Sequence, residues 1–145
     1  MKKVIIGILL AVGIAVILFV TWYNRNAQTI REVQNLNTEF EGYLNRTITG
    51  VDLTTIMNKA IENNNQYEVP KNSDGTYQDD QKYSIQILVK PTEEGKFYPM
   101  EAFEKVGMKD FTKNFGGLVF QSQKVEYHTN GRVSKIYFEL EPKTK

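Results

Sequence analysis

Apolar and polar positions divide the chain sharply at its start. Between Lys3 and Arg25 no charged residue occurs, and residues 4–23 are almost all aliphatic or aromatic. A helix of that length rises about 30 Å, the thickness of a bilayer's hydrocarbon core, so the pattern predicts a transmembrane helix over residues 4–23. The stretch ends in "LFVTWYN", bulky where a signal peptidase needs small side chains; a retained signal-anchor is therefore expected rather than a cleaved leader. Trp22 and Tyr23 stand where amphipathic aromatics settle at a membrane interface. Lys2 and Lys3, set against the single nearby Arg25, put the N-terminus in the cytoplasm and the rest outside it. Gly7, Ala11 and Ala15 recur every four residues, a small-residue row suited to self-association or to docking on a partner's helix.

Beyond the apolar stretch the period changes. Ile30, Val33, Phe40, Tyr43 and Leu44 form one stripe of an amphipathic helix over 27–45, with Arg31, Glu32, Glu39 and Glu41 off it. No proline or glycine separates it from the preceding helix. A break at Gly50 precedes a second helix opened by Asp52, whose carboxylate can cap unpaired amides, and ended by the asparagines at 63–65. Residues 70–80, "PKNSDGTYQDD", read as an exposed loop. "YSIQILVK" alternates Tyr83, Ile85, Ile87 and Val89 with polar residues, as a half-buried strand does. "YPMEAFEKVGMKDFTKNFGG" predicts one or two short helices interrupted near Gly107 and stopped at Gly116 and Gly117.

The closing segment is an antiparallel hairpin around Asn130 and Gly131, residues suited to a type I′ turn. A two-residue loop would set Val125 opposite Ile136, Gln123 opposite Phe138 and Glu126 opposite Lys135. The expected class is α+β: a transmembrane helix continuing into an amphipathic helix, then helices on a small antiparallel sheet ending in the hairpin. The expected organisation is a cytoplasmic stub at 1–3, a transmembrane helix at 4–23, a juxtamembrane helix at 24–50 and an extracytoplasmic α+β domain at 51–145.

Composition narrows the chemistry. The net charge is +1 and two of the lysines precede the apolar stretch, so the remainder is near neutral and carries no footprint for nucleic acid. The chain has no cysteine and one histidine, which excludes disulfides, thiolate nucleophiles and histidine-rich metal motifs. His128, beside the hairpin turn, reads as a surface residue. Asn72, Asp74, Gly75, Asp79 and Asp80 partly follow a calcium loop, but Pro70 and Gln81 stand at its two end positions. Glu93 with Glu94, and Glu101 with Glu104, are the acids a glycosidase-type pair would draw on. No glycine-rich phosphate loop or nucleophile elbow occurs. Most of the aromatic residues are expected in the core, with a ligand groove as the alternative use. No catalytic, cofactor or metal residues are assigned.

The blocks "ITGVDLTTIMNKAIENNN", "YPMEAF" and "VEYHTNGRVSKIYFE" resemble an uncharacterised group of small single-pass membrane proteins of low-GC Gram-positive bacteria, a resemblance that implies a location and no activity. The layout also loosely resembles type IV pilins and pseudopilins, whose long N-terminal helix packs on an antiparallel sheet. Those proteins carry an early glutamate; here the first acidic residue is Glu32. Together these readings lead to the expectation of a membrane-anchored, non-enzymatic interaction or assembly protein of the bacterial cell envelope, associated with a pilus or secretion machine. A ligand-binding or enzymatic domain acting on envelope material is the alternative. Its expected partners are the lipid bilayer and a membrane or envelope protein, or a second copy through Gly7, Ala11 and Ala15.

Overall fold

The computed structural model describes residues 2–142, without the side chains of residues 2–10, 29, 32, 33 and 36. Helix α1 (Lys2–Glu41) opens the chain. Two compact units are present, residues 1–36 and 37–145.

The first unit corrects the membrane reading. Among the described residues no helix is long and apolar enough to cross a membrane. Helix α1 has the length, but past Tyr23 it turns polar, with Asn24, Arg25, Asn26 and Gln28 among its described side chains. The side chains at 4–10, Gly7 among them, lie outside the described residues. The transmembrane, single-pass and signal-anchor expectations are overturned on this finding. So is the localisation that rested on them: a cell-membrane protein with a cytoplasmic N-terminus and an extracytoplasmic domain.

In the second unit, α1 ends at Glu41 and strand β1 (Thr47–Thr49) follows, where the periodicity predicts helix to Asn45. Phe40 is fully buried, and Tyr43 and Leu44 pack against the same core. Helix α2 (Gly50–Gln66) starts from Thr49 rather than Asp52. The Thr49 Oγ1 accepts from the Asp52 amide at 3.2 Å while the Asp52 carboxylate accepts from the Thr49 amide at 3.2 Å, a reciprocal capping box. Its apolar side, Leu53, Ile56, Met57, Ala60 and Ile61, is buried; each large side chain there contributes roughly 1.5–3 kcal/mol.

Gly50 is the first residue of α2, not a break. A Cβ there would lie 2.0 Å from the Phe115 carbonyl oxygen, so the start of α2 and the end of helix α4 (Met108–Phe115) approach closely because residue 50 has no side chain.

Strands β2 (Gln86–Lys90), β3 (Tyr98–Pro99), β4 (Val119–Tyr127) and β5 (Val133–Leu140) complete one five-stranded sheet with β1, in the order β1-β4-β5-β2-β3. The fold is α+β with helices packed on a mixed sheet. The expected antiparallel sheet is corrected at one interface: β2 pairs with β5 in parallel, Ile87 opposite Ile136 and Val89 opposite Phe138. Parallel neighbours need a long crossover, and here β3, two helices over residues 100–115 and β4 supply it.

Helices α3 (Met100–Val106) and α4 (Met108–Phe115) meet at Gly107, whose φ of +111° suits glycine. Helices α2 and α3 pack on the sheet, and α4 packs on both. Ile87, Val89, Phe120, Ile136 and Phe138 face these helices and are buried, whereas Lys90, Lys135, Tyr137 and Glu139 lie half-buried on the other side.

The hairpin keeps its expected centre, with Val125 opposite Ile136 and Glu126 opposite Lys135. Its ends differ. His128 and Arg132 close a three-residue loop, and only Gly131 has positive φ, at +82°, so the turn is not type I′. A bulge between Glu126 and Tyr127 absorbs the difference. A second bulge leaves Gln123 unpaired and puts Ser122, not Gln123, opposite Phe138.

Candidate functional site

His128 sits where β4 gives way to the turn, and its side chain is 3 % exposed rather than on the surface. Nε2 lies 2.7 Å from the Ser84 carbonyl oxygen. A carbonyl only accepts, so Nε2 carries the hydrogen and donates it. Nδ1 faces the Asp79 carboxylate at 3.8 Å. The Nε2 hydrogen bond fastens Ser84 to the hairpin and leaves the ring buried between them.

The charges around it are matched in the same way. Lys135 lies 3.7 Å from Asp79 and 3.8 Å from Glu126. Glu126 accepts from the Lys124 ammonium at 2.6 Å and from the Tyr137 hydroxyl at 3.2 Å. The hydrogen bond from Lys124 holds the Glu126 carboxyl below its ordinary range and raises the Lys124 ammonium in turn. Beside this ladder is a cleft of about 200 Å³ between the 77–86 segment and β5, with Asp79, Ser84, Gln86, Ser134 and Lys135 in its wall.

The acids of the 72–80 loop, expected to be a solvated turn, point apart. The Asp74 carboxylate accepts from the Thr76 amide at 2.9 Å and hydroxyl at 2.7 Å. Asp80 accepts from the amides of Lys82, Tyr83 and Ser84 at 2.7–2.9 Å. Burial acts to raise its carboxyl, and the amide hydrogen bonds from Ser84, Lys82 and Tyr83 outweigh burial and lower it. Asp79 faces His128 and Lys135. Among the described residues no three acidic or histidine side chains converge as a metal would require. Glu101 and Glu104 also separate. Glu101 is 1 % exposed and accepts from the Tyr77 amide at 2.8 Å and the Gln86 side chain at 3.0 Å; Glu104 is exposed, 3.7 Å from Lys71.

One buried cation escaped sequence reasoning. Arg132 is 2 % exposed, with its guanidinium 4.7 Å and 4.9 Å from the ring centroids of Tyr67 and Tyr83. Those two rings stack on each other at 4.6 Å. Its Nη2 donates to Asn63 at 3.3 Å, and Nε has no hydrogen-bond partner. The tyrosine faces stand where a carboxylate would be usual.

A larger groove lies at the opposite end of the sheet. It measures about 530 Å³ and is lined by Glu93, Leu118, Val119, Leu140, Glu141 and Pro142, together with Gly117. A second compartment of about 220 Å³ shares Glu93, Leu140, Glu141 and Pro142 with it and adds Lys90, Gln121 and Glu139.

The first unit contributes a surface of another kind. Val12, Ile14, Val16, Ile17, Leu18, Phe19, Val20, Trp22 and Tyr23 are each 49–66 % exposed, and Ala11 and Ala15 are exposed among them. Apolar side chains on every side of a helix call for a cover.

No protein family, curated protein or solved structure matches the chain.

Proposed function

We propose a non-enzymatic interaction and assembly protein that associates, copy with copy, through the apolar helix surface of residues 11–23. The observation that carries this reading is the exposure of nine large apolar side chains between Val12 and Tyr23. Two copies covering half of these side chains each would remove about nine from water, worth roughly 1–2 kcal/mol apiece at their present exposure. That total is comparable with or larger than the roughly 4–15 kcal/mol lost in rigid-body freedom. Ala11 and Ala15 let a second helix approach closely along one line. His128, buried with its Nε2 donating to the Ser84 carbonyl, supports the non-enzymatic part.

Trp22, the chain's one tryptophan, reports on the surface. Association shifts its emission to the blue as concentration rises, and Ile17→Asp with Leu18→Asp removes the shift. Emission at the wavelength of water-exposed indole at every concentration, or a shift that survives the double substitution, would contradict the reading.

A further inference from the structure

Strand β4 is paired along one side and only part of the other. β5 lies against it over 120–127, whereas β1 reaches only 119–121. The Arg46 carbonyl then accepts from the Ser122 amide at 3.3 Å. Past that bond, no strand among the described residues lies on the side of β4 away from β5. The two bulges bracket this free edge, so its regular part is Lys124, Val125 and Glu126. Lys124 and Glu126 stand on one face of the sheet, with 62 % and 31 % of their side chains exposed, and Val125 packs toward the core on the other. The edge reads cation, apolar, anion. An antiparallel strand with the same three residues reads anion, apolar, cation against it.

We propose that the 124–126 edge of β4 pairs with the same edge of a second copy, antiparallel about a two-fold axis at Val125. In that register the two Val125 residues stand opposite each other, and Lys124 of each copy stands opposite Glu126 of the other. Within one chain these two side chains already bond at 2.6 Å. Pairing closes them into a ring of four alternating charges, a network rather than an isolated exposed pair. Backbone groups that a free edge leaves to water gain partners, and the opposed charges fix the register. A parallel copy would instead set lysine against lysine and glutamate against glutamate. Three residues bounded by bulges make a short edge, so the contact is weak and the charges supply its specificity. It uses no residue of 11–23 and is independent of association there. Both contacts relate identical surfaces, so a chain that makes both joins pairs to pairs.

Sedimentation of the full chain carrying Ile17→Asp and Leu18→Asp, which removes the apolar helix surface from the comparison, tests it. The expected mass rises from one chain to two with a dissociation constant on the order of 0.5 mM, so the contact is silent at micromolar concentration. In the same background K124E alone and E126K alone, which set like charges opposite each other, should each self-associate at least about fivefold more weakly. Mixed in equal amounts, the two should pair with each other at least as tightly as the parent pairs with itself, since every opposed pair is then of opposite sign. K109E mixed with E62K, the same charge changes at exposed positions outside the edge, should match the parent. Whatever the helix surface does, the charge-reversal arms read only the β4 edge. A single-chain mass up to about 2 mM, undiminished self-association of K124E and E126K, a mixture of the two that pairs no better than its components, or an equal gain in the K109E and E62K mixture would each overturn the proposal.

Discussion

Asn64 is bonded to Ile85 as one strand is bonded to another. Its side-chain amide donates to the Ile85 carbonyl at 2.8 Å and its side-chain oxygen accepts from the Ile85 amide at 2.8 Å. Both residues are buried, Asn64 at 0 % and Ile85 at 2 % exposure. The last turn of α2 therefore supplies backbone pairing just ahead of β2, where no strand does. Asn63 extends the tie by donating to the Tyr83 carbonyl at 2.8 Å.

Replacing Asn64 by Ala leaves a buried amide and a buried carbonyl of Ile85 without partners. Each such orphan costs about 1–3 kcal/mol, so the expected loss of stability is roughly 2–4 kcal/mol by urea unfolding of the full chain. A loss below about 0.5 kcal/mol, within the range of an ordinary surface substitution, would show that water replaces the asparagine.

This contact also shows what sequence patterning reaches. The asparagines at 63–65 read as helix-ending residues because propensity describes a residue by its own helix, and α2 does end at Gln66; nothing local shows that one of them faces another strand. The alternation through Ile85, Ile87 and Val89, the interruption at Gly107 and the centre of the hairpin were legible because each is written within a few residues. The parallel pairing of β2 with β5 was not, since it joins segments separated by two helices and two strands. Nor were the bulges at Gln123 and near Tyr127, the second of which absorbs the three-residue turn. At the candidate sites, Glu93 and Glu141 come to line one groove only through folding, and Arg132 follows the turn without any pattern to mark it as buried.

Gly50 and Gly117 make a paired test of close approach. A Cβ at Gly50 would meet Phe115 backbone atoms at 2.0 Å and 2.6 Å, and one at Gly117 would meet nothing within 4 Å. Gly50→Ala is expected to cost about 2–4 kcal/mol, because two helix ends must separate, and Gly117→Ala to stay within about 0.5 kcal/mol of the parent. Equal melting temperatures for the two variants would contradict the packing described.

The Asp80 carboxylate predicts a pH dependence. Its folded-state value is depressed, so the stabilisation it confers is complete above the unfolded value, about 4, and is lost as pH falls through the folded value. The difference in unfolding free energy between the parent and Asp80→Asn should be constant from near-neutral pH down to about 5 and shrink below about 4. Urea unfolding across that range measures it. A difference that grows on acidification would reverse the sign and refute the assignment.

Sedimentation of the full chain across micromolar concentrations tests assembly through residues 11–23 most directly. The expected result is a mass that rises from one chain toward two or more as concentration increases, with Ile17→Asp and Leu18→Asp returning it to one. A single-chain mass at all concentrations, or one chain held in a detergent micelle with no self-association, would contradict it.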